Sequence, residues 1–174
     1  MRLSTSRLLL RPLEEDDAQA FFAYRRLPQV GRYQSFHPSR LEEAQAFIHR
    51  QPSGFGEPET WFQLAIEREG ALVGDLGVHF VGEQQVEVGF TLAPTSQGQG
   101  FATEALCGLL GRLFPDKHRA FASVDPRNPA SMAVLDRVGF RREGTLRRAL
   151  WFKGEWVDDV VYGLLASEWT ERGG

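Results

Sequence analysis

Thr95-Ser-Gln-Gly-Gln-Gly-Phe-Ala-Thr-Glu-Ala105 is the stretch whose reading decides the fold. The run Gln85–Leu92 before it alternates polar and apolar side chains as a strand does. Behind it, Ala105, Leu106, Leu109, Leu110 and Leu113 recur at the helical period until Pro115 ends them. The segment is therefore a strand-to-helix turn, and Gly98 and Gly100 let its backbone come close to a ligand. Successive N–H groups at a helix start attract phosphate. A dinucleotide-binding loop has the same outline, but here Thr103 stands in place of a third glycine. The strand in front also belongs to a meander rather than a β-α-β unit. Taken alone, the glycine loop leaves a phosphate cradle and a plain flexible turn open.

The flanks extend the pattern in both directions. Upstream, the strand-like runs Trp61–Glu67, Leu72–Phe80 and Gln85–Leu92 are separated by Glu69-Gly70 and Gly82-Glu83, spaced for an antiparallel meander. Gln51–Thr60, with two prolines and two glycines, is a loop. Ser39-Arg-Leu-Glu42 has capping-box spacing and predicts a helix that buries Leu41, Ala44 and Ile48. Arg7–Pro12 reads as a short strand. The acidic run Glu14–Asp17 then opens a helix with a mostly apolar face of Ala18, Phe21, Phe22 and Arg25. Downstream, Ala120–Val124 reads as a strand. Asn128-Pro129 supplies an N-cap and first-turn proline to a helix with Met132, Leu135 and Val138 inward and Gly139 as its stop. Phe140–Phe152 and Val157–Leu165 form a hairpin around Lys153-Gly154. With no internal repeat, low-complexity tract or linker, residues 1–174 are expected to form one α+β domain, a sheet sandwiched by helices.

Composition narrows the function classes. The chain of 174 residues is 42% hydrophobic and 25% charged, ordinary for a globular domain and unlike a disordered, collagenous or disulfide-stapled chain. Cys107, the single cysteine, sits in an apolar stretch and reads as core. No uncharged segment approaches the roughly 20 apolar residues of a membrane span. Met1-Arg-Leu-Ser-Thr leads into a strand without a secretory apolar region, so the expected location is cytoplasmic, with no membrane partner. The net charge of −3 argues against a nucleic-acid partner. Residues 119–153 nevertheless carry a local excess of +5, enough to face a small anion.

Longer motifs add specificity. Gln97-x-x-Gly100-x-Ala102 resembles the Q/R-x-x-G-x-G/A signature of the GNAT superfamily of N-acetyltransferases. Gly98-Gln-Gly-Phe-Ala-Thr-Glu-Ala105 is similar to the Rim-type branch, which acetylates N-terminal amines of ribosomal proteins. Asn128-Pro-Ala-Ser-Met-Ala-Val-Leu-Asp-Arg-Val-Gly-Phe140 resembles that branch's N-x-x-S…L-x-x-x-G-F element. Gly144-Thr-Leu-Arg147 and Gly154-Glu-Trp-Val-Asp158 look like its closing hairpin. Arg7-Leu-x-Leu-Arg-Pro12 and the run from Trp61 to Val73-Gly74 fit its opening half. The resemblance spans residues 5–166 with the motifs in order, and it implies a mixed, mostly antiparallel central sheet flanked by helices.

The resemblance also implies roles. The backbone of Gln97, Gly98, Gln99, Gly100, Phe101, Ala102 and Thr103 would cradle the pyrophosphate of acetyl-CoA. Phe90, Thr91 and Leu92 would pair with the pantetheine arm and aim an amide at the thioester carbonyl, stabilising the oxyanion of a tetrahedral intermediate. Asn128 would contact that arm, and Ser131 would lie near the sulfur as donor to the departing thiolate. No metal enters, and no covalent enzyme intermediate, because an amine attacks a thioester directly. The attacking amine must first be neutral, and a free α-amino group has a pKa of about 8. Glu87, on the polar face of its strand, is the candidate base, with His79 and water as alternatives. Arg137, Arg141 and Arg142 could offset phosphate charge, and Arg147 could pair with Asp158. Tyr33, Phe36, His37 and Trp61 fall where the family builds its acceptor pocket.

The expected partners are acetyl-CoA and an amine acceptor, and the expected assembly is a monomer or homodimer. Rival readings are a small-molecule (aminoglycoside or polyamine) acetyltransferase and a non-catalytic acyl-CoA-binding regulatory domain. A nucleotide-binding oxidoreductase fits worst, lacking the third glycine and an acidic ribose contact.

Overall fold

The computed structural model describes residues 1–171. All eight described strands join one sheet in the order β1-β2-β3-β4-β5-β6-β8-β7. They are β1 (Leu3–Ser4), β2 (Leu9–Pro12), β3 (Trp61–Arg68), β4 (Ala71–Val81), β5 (Gln85–Leu92), β6 (Arg119–Val124), β7 (Arg141–Phe152) and β8 (Glu155–Leu165). Every neighbouring pair is antiparallel except β5 and β6, which run parallel. The helices are α1 (Ala18–Arg25), α2 (Pro28–Gly31), α3 (Leu41–His49), α4 (Phe101–Leu113), α5 (Pro129–Val138) and α6 (Ala166–Glu171). The expected mixed, mostly antiparallel sheet between helices is what forms.

Strand alternation sorts the core into two layers. Leu64, Ile66, Leu76, Val78, Phe80, Val86 and Val88 point to one face and pack with Leu106, Leu109 and Leu110 of α4 and Leu135 and Val138 of α5. Ala65 faces the other way, into a second cluster with Phe21 and Tyr24 of α1 and Ala44 and Ile48 of α3. Phe36 is partly buried against that second layer, stacking on Phe47 at 4.3 Å. His37 is exposed, with its Nε2 3.0 Å from the Arg26 carbonyl.

Local signals place the elements with small shifts. Glu14–Asp17 opens on a 3₁₀ turn (Glu15–Asp17) before α1. The first strand pairing begins earlier than expected, at Leu3, and Arg7 lies in the turn between β1 and β2. The cap of α3 is displaced by one residue: the helix starts after Arg40, and Glu43, not Glu42, accepts the Ser39 backbone N–H at 2.8 Å. Across the closing hairpin, Asp158 accepts the backbone N–H of Arg148 at 2.8 Å rather than pairing with Arg147. The sequence reading did not anticipate α2 or α6.

Candidate active site

The parallel pair β5 and β6 is joined only over Gln85–Glu87, opposite Arg119–Phe121. Beyond Glu87 the two strands part, and β5 runs on to Leu92 along β4 alone. The opening leads into a cavity of about 440 Å³, within the usual range for a small-ligand site. Its walls are Phe90, Thr91 and Leu92 of β5, Gln97–Thr103 of the glycine loop except Gln99, and Asn128, Ala130, Ser131 and Arg137 at α5. Gln29, Val30, Tyr33 and Gln34 close it from the side of α2. Of the three arginines weighed against phosphate charge, only Arg137 reaches this cavity; Arg141 pairs with Glu168 and Arg142 bonds Thr145.

Gly98 and Gly100 both take left-handed backbone, at φ +74° and +81°, and Gly100 is the N-cap of α4. A β-carbon there is disfavoured by about 1–2 kcal/mol. This turn aims the first free N–H groups of a 13-residue helix at the cavity. The loop is braced from behind: Arg7 Nη1 donates to the Gln99 carbonyl at 3.1 Å, and its guanidinium lies 4.8 Å over the Phe101 ring. Glu104 accepts from the Thr5 hydroxyl at 2.6 Å and from both the backbone and Nε of Arg7. Despite partial burial, which works the other way, these donors pull its carboxyl down to about 2.

At the opposite wall Asn128 caps α5. Its Oδ1 accepts the Ser131 backbone N–H at 3.2 Å, and its Nδ2 donates to Ser131 Oγ at 2.9 Å. The hydroxyl of Ser131 thus receives one hydrogen bond and keeps its own proton to donate into the cavity. Cys107, half-buried on α4, is pushed up by desolvation and stays a thiol, consistent with a packing role.

The second layer's face carries the polar groups of β4 and β5. Asp75, fully buried, receives the Tyr24 hydroxyl at 2.5 Å, the Arg25 guanidinium through two nitrogens and the Gln63 amide. Burial and the adjacent carboxylate push the Tyr24 hydroxyl well up, so it remains a donor. Cross-strand from Asp75 stands Thr91, whose Oγ1 is buried with no hydrogen-bond partner among the described residues. A buried hydroxyl without a partner costs about 1–3 kcal/mol, and one in a cavity wall is positioned to meet a polar ligand. Two residues back along β5 is Gly89, with nothing within 4 Å of where a β-carbon would be, and then Glu87. Glu87 Oε2 lies 3.5 Å from His79 Nδ1, and the His79 ring stacks on Trp61 at 4.9 Å and 10°. Glu87 and His79, each about a quarter exposed, therefore share the sheet face of Thr91 but lie outside the cavity wall.

The contribution of α2 was not foreseen. Four residues give no periodicity, but Pro28 at its first turn is a legible start. Tyr33 then donates to the Arg127 carbonyl at 2.7 Å, and Lys153 at the hairpin tip donates to the Gly31 carbonyl. These bonds tie α2 across the cavity to both flanking elements.

These features fit an acetyl-CoA site: an anion-binding helix start, an unpaired strand edge, an unsatisfied wall hydroxyl and a hydroxyl proton at the far wall. Among the described residues no group of three or more His, Cys, Asp or Glu side chains is arranged to hold a metal, and no helix is long and apolar enough to cross a membrane. The acetyltransferase (GNAT) domain model matches residues 7–141. YnaD, an uncharacterized N-acetyltransferase of Bacillus subtilis strain 168, is 31% identical over 98% of this chain and 100% of its own. The ribosomal protein uS5-alanine N-acetyltransferase of Escherichia coli K12 is 27% identical over 98% of this chain and 93% of its own. The crystal structure of a GNAT-family acetyltransferase from Bacillus anthracis superposes with a TM-score of 0.87 at 28% identity, covering 97% of this chain and all of the other. The domain match over residues 7–141 and the 31% identity across nearly the whole chain show the family: the chain belongs to the GNAT acetyltransferases and is an N-acetyltransferase, with ribosomal-protein N-acetyltransferases among its relatives.

Proposed function

We propose that residues 1–174 act as one catalytic domain that transfers acetyl from acetyl-CoA directly to the N-terminal amine of a protein or peptide, in the cytoplasm and as a monomer or homodimer. The observation that carries this reading is the parting of β5 and β6, which joins the glycine-loop cavity to an open polar face. Acetyl-CoA supplies an activated acyl group whose thiol is the leaving group.

In this reading the amides of Gln97–Thr103 bind the pyrophosphate, aided by the helix dipole of α4. The free edge of Phe90–Leu92 bonds the pantetheine arm and turns an amide toward the thioester carbonyl, where charge grows as the amine attacks. Asn128 orients Ser131, whose hydroxyl donates to the sulfur as the C–S bond breaks. Glu87 draws the proton from the amine, directly or through its neighbour His79. Trp61, 46% exposed, leaves the acceptor face open to a chain rather than enclosing a small molecule. The 27% identity with an enzyme acting on a ribosomal-protein alanine supports the same acceptor class.

The test is an acetyl-CoA turnover screen across peptides with varied N-termini, polyamines and aminoglycosides. Preferred turnover of peptides is expected. Turnover restricted to polyamines or aminoglycosides would replace the acceptor and keep the chemistry. Acyl-CoA binding without turnover of any amine would instead favour a regulatory domain.

A further inference from the structure

We infer that His79 Nε2, not a Glu87 oxygen, is the atom that takes the acceptor's proton, with Glu87 and Trp61 acting as positioning residues. The inference rests on the proposed amine transfer and names the base within it.

Gly77 of β4 lies beside the Trp61 indole. A β-carbon there would lie 3.1 Å from the Trp61 ring and 3.2 Å from Gln63 Oε1, a tight contact that would press on the indole, so the glycine gives the ring room to lie over the sheet. Register then sets Trp61 opposite His79 and His79 opposite Glu87 on three adjacent strands. Stacking at 10° fixes the plane of the imidazole, and Glu87 Oε2 faces its Nδ1 at 3.5 Å. A carboxylate beside Nδ1 selects the tautomer with the proton on that nitrogen, which leaves the Nε2 lone pair free. Nε2 has no partner among the described residues, while the His79 side chain keeps 23% of its surface open.

The bare Gly89 completes the path. It lies on the same face of β5 between Glu87 and Thr91, so each is about 7 Å along the strand from it. An amine above Gly89 sits between the cavity wall at Thr91 and the His79–Glu87 pair. Its nitrogen gives one proton to Nε2, forming imidazolium, and the lone pair so freed attacks the acyl carbon. The Nδ1 proton stays in place toward Glu87, whose charge balances the imidazolium.

Nitrogen-15 NMR of the histidine rings reads the tautomer directly, with the His79 signals assigned by their loss in His79→Gln. At a pH where the ring is neutral, the parent is expected to carry its proton on Nδ1, and Glu87→Ala to shift it toward Nε2. A parent ring protonated on Nε2, or a tautomer unmoved by Glu87→Ala, overturns the inference even if no acceptor has been found. On a free-amine peptide that the parent acetylates, His79→Gln is expected to lower kcat about 10²-fold or more with the acetyl-CoA KM nearly unchanged. Parent-like kcat in that variant also overturns it, whereas a parent that turns over no amine overturns the proposed transfer and leaves the NMR result to stand.

Discussion

Glu104 in the first turn of α4 holds Arg7 at two points, accepting its backbone N–H at 2.8 Å and its Nε at 2.6 Å. The pair fastens the β1–β2 turn to the helix whose start forms the phosphate loop. A carboxyl lowered to about 2 in the folded chain contributes its stability above the ordinary carboxylate range and loses it as pH falls toward 2. Glu104→Gln is therefore expected to destabilise by about 1–3 kcal/mol at pH 7. Urea unfolding at pH 7 and pH 3 checks the sign: the gap between parent and variant should shrink at the lower pH.

The Asp75 cluster gives a larger effect. Asp75 is fully buried and Arg25 is 5% exposed, so removing the carboxylate leaves a guanidinium uncompensated in the core. Breaking such a pair costs about 3–5 kcal/mol. Asp75→Asn is expected to lose that much in denaturant melts. A loss below about 1 kcal/mol would mean that water reaches Arg25.

What the sequence made legible follows the range of each interaction. Gly98, Gly100, Asn128-Pro129 and Gly139 act through their own backbone, and each turn or cap forms where they stand. Glu87 and Thr91 could be assigned to one strand face because alternation persists along β5. Partners distant in the chain gave no such signal. Arg25 read as part of an apolar face, yet it pairs with Asp75, 50 positions away. Stacking of Trp61 on His79 depends on strand register and on the space above Gly77, neither of which a periodicity records. The cavity wall at Gln29 and Val30 arises from a four-residue helix too short to have a stripe.

Gly100→Asp tests the cofactor loop. The substitution sets a carboxylate where the pyrophosphate would lie and strains a left-handed position. Calorimetry on a folded variant is expected to find acetyl-CoA binding abolished. Unchanged affinity would remove the loop from the site.

Ser131→Ala separates leaving-group chemistry from binding. Its hydroxyl already receives Asn128 Nδ2, so the group it lacks is an acceptor for its proton. A contact that matters when sulfur gains charge lowers kcat more than affinity. Turnover should fall about 10²-fold or more with acetyl-CoA affinity nearly intact. A twofold loss would leave Ser131 as a helix residue.

Gly89→Val tests where the acceptor sits, and the fold itself makes the variant clean. The position lies inside a strand, has no left-handed backbone and offers open space to a β-carbon. A β-branched residue suits that environment, and loss of glycine's unfolded-state freedom favours the folded chain by about 0.4–1 kcal/mol. Stability should therefore hold or rise slightly in thermal melts. The added isopropyl group nevertheless fills the gap between Glu87 and Thr91 through which the amine must approach. The acceptor kcat/KM is expected to fall about 10-fold or more, since a misplaced reacting group forfeits much of the gain from proximity. Acetyl-CoA affinity should be unchanged, because the cavity is lined by Phe90, Thr91 and Leu92 and not by Gly89. A variant with parent-like acceptor kinetics would place the amine elsewhere on the sheet, away from the His79–Glu87 pair.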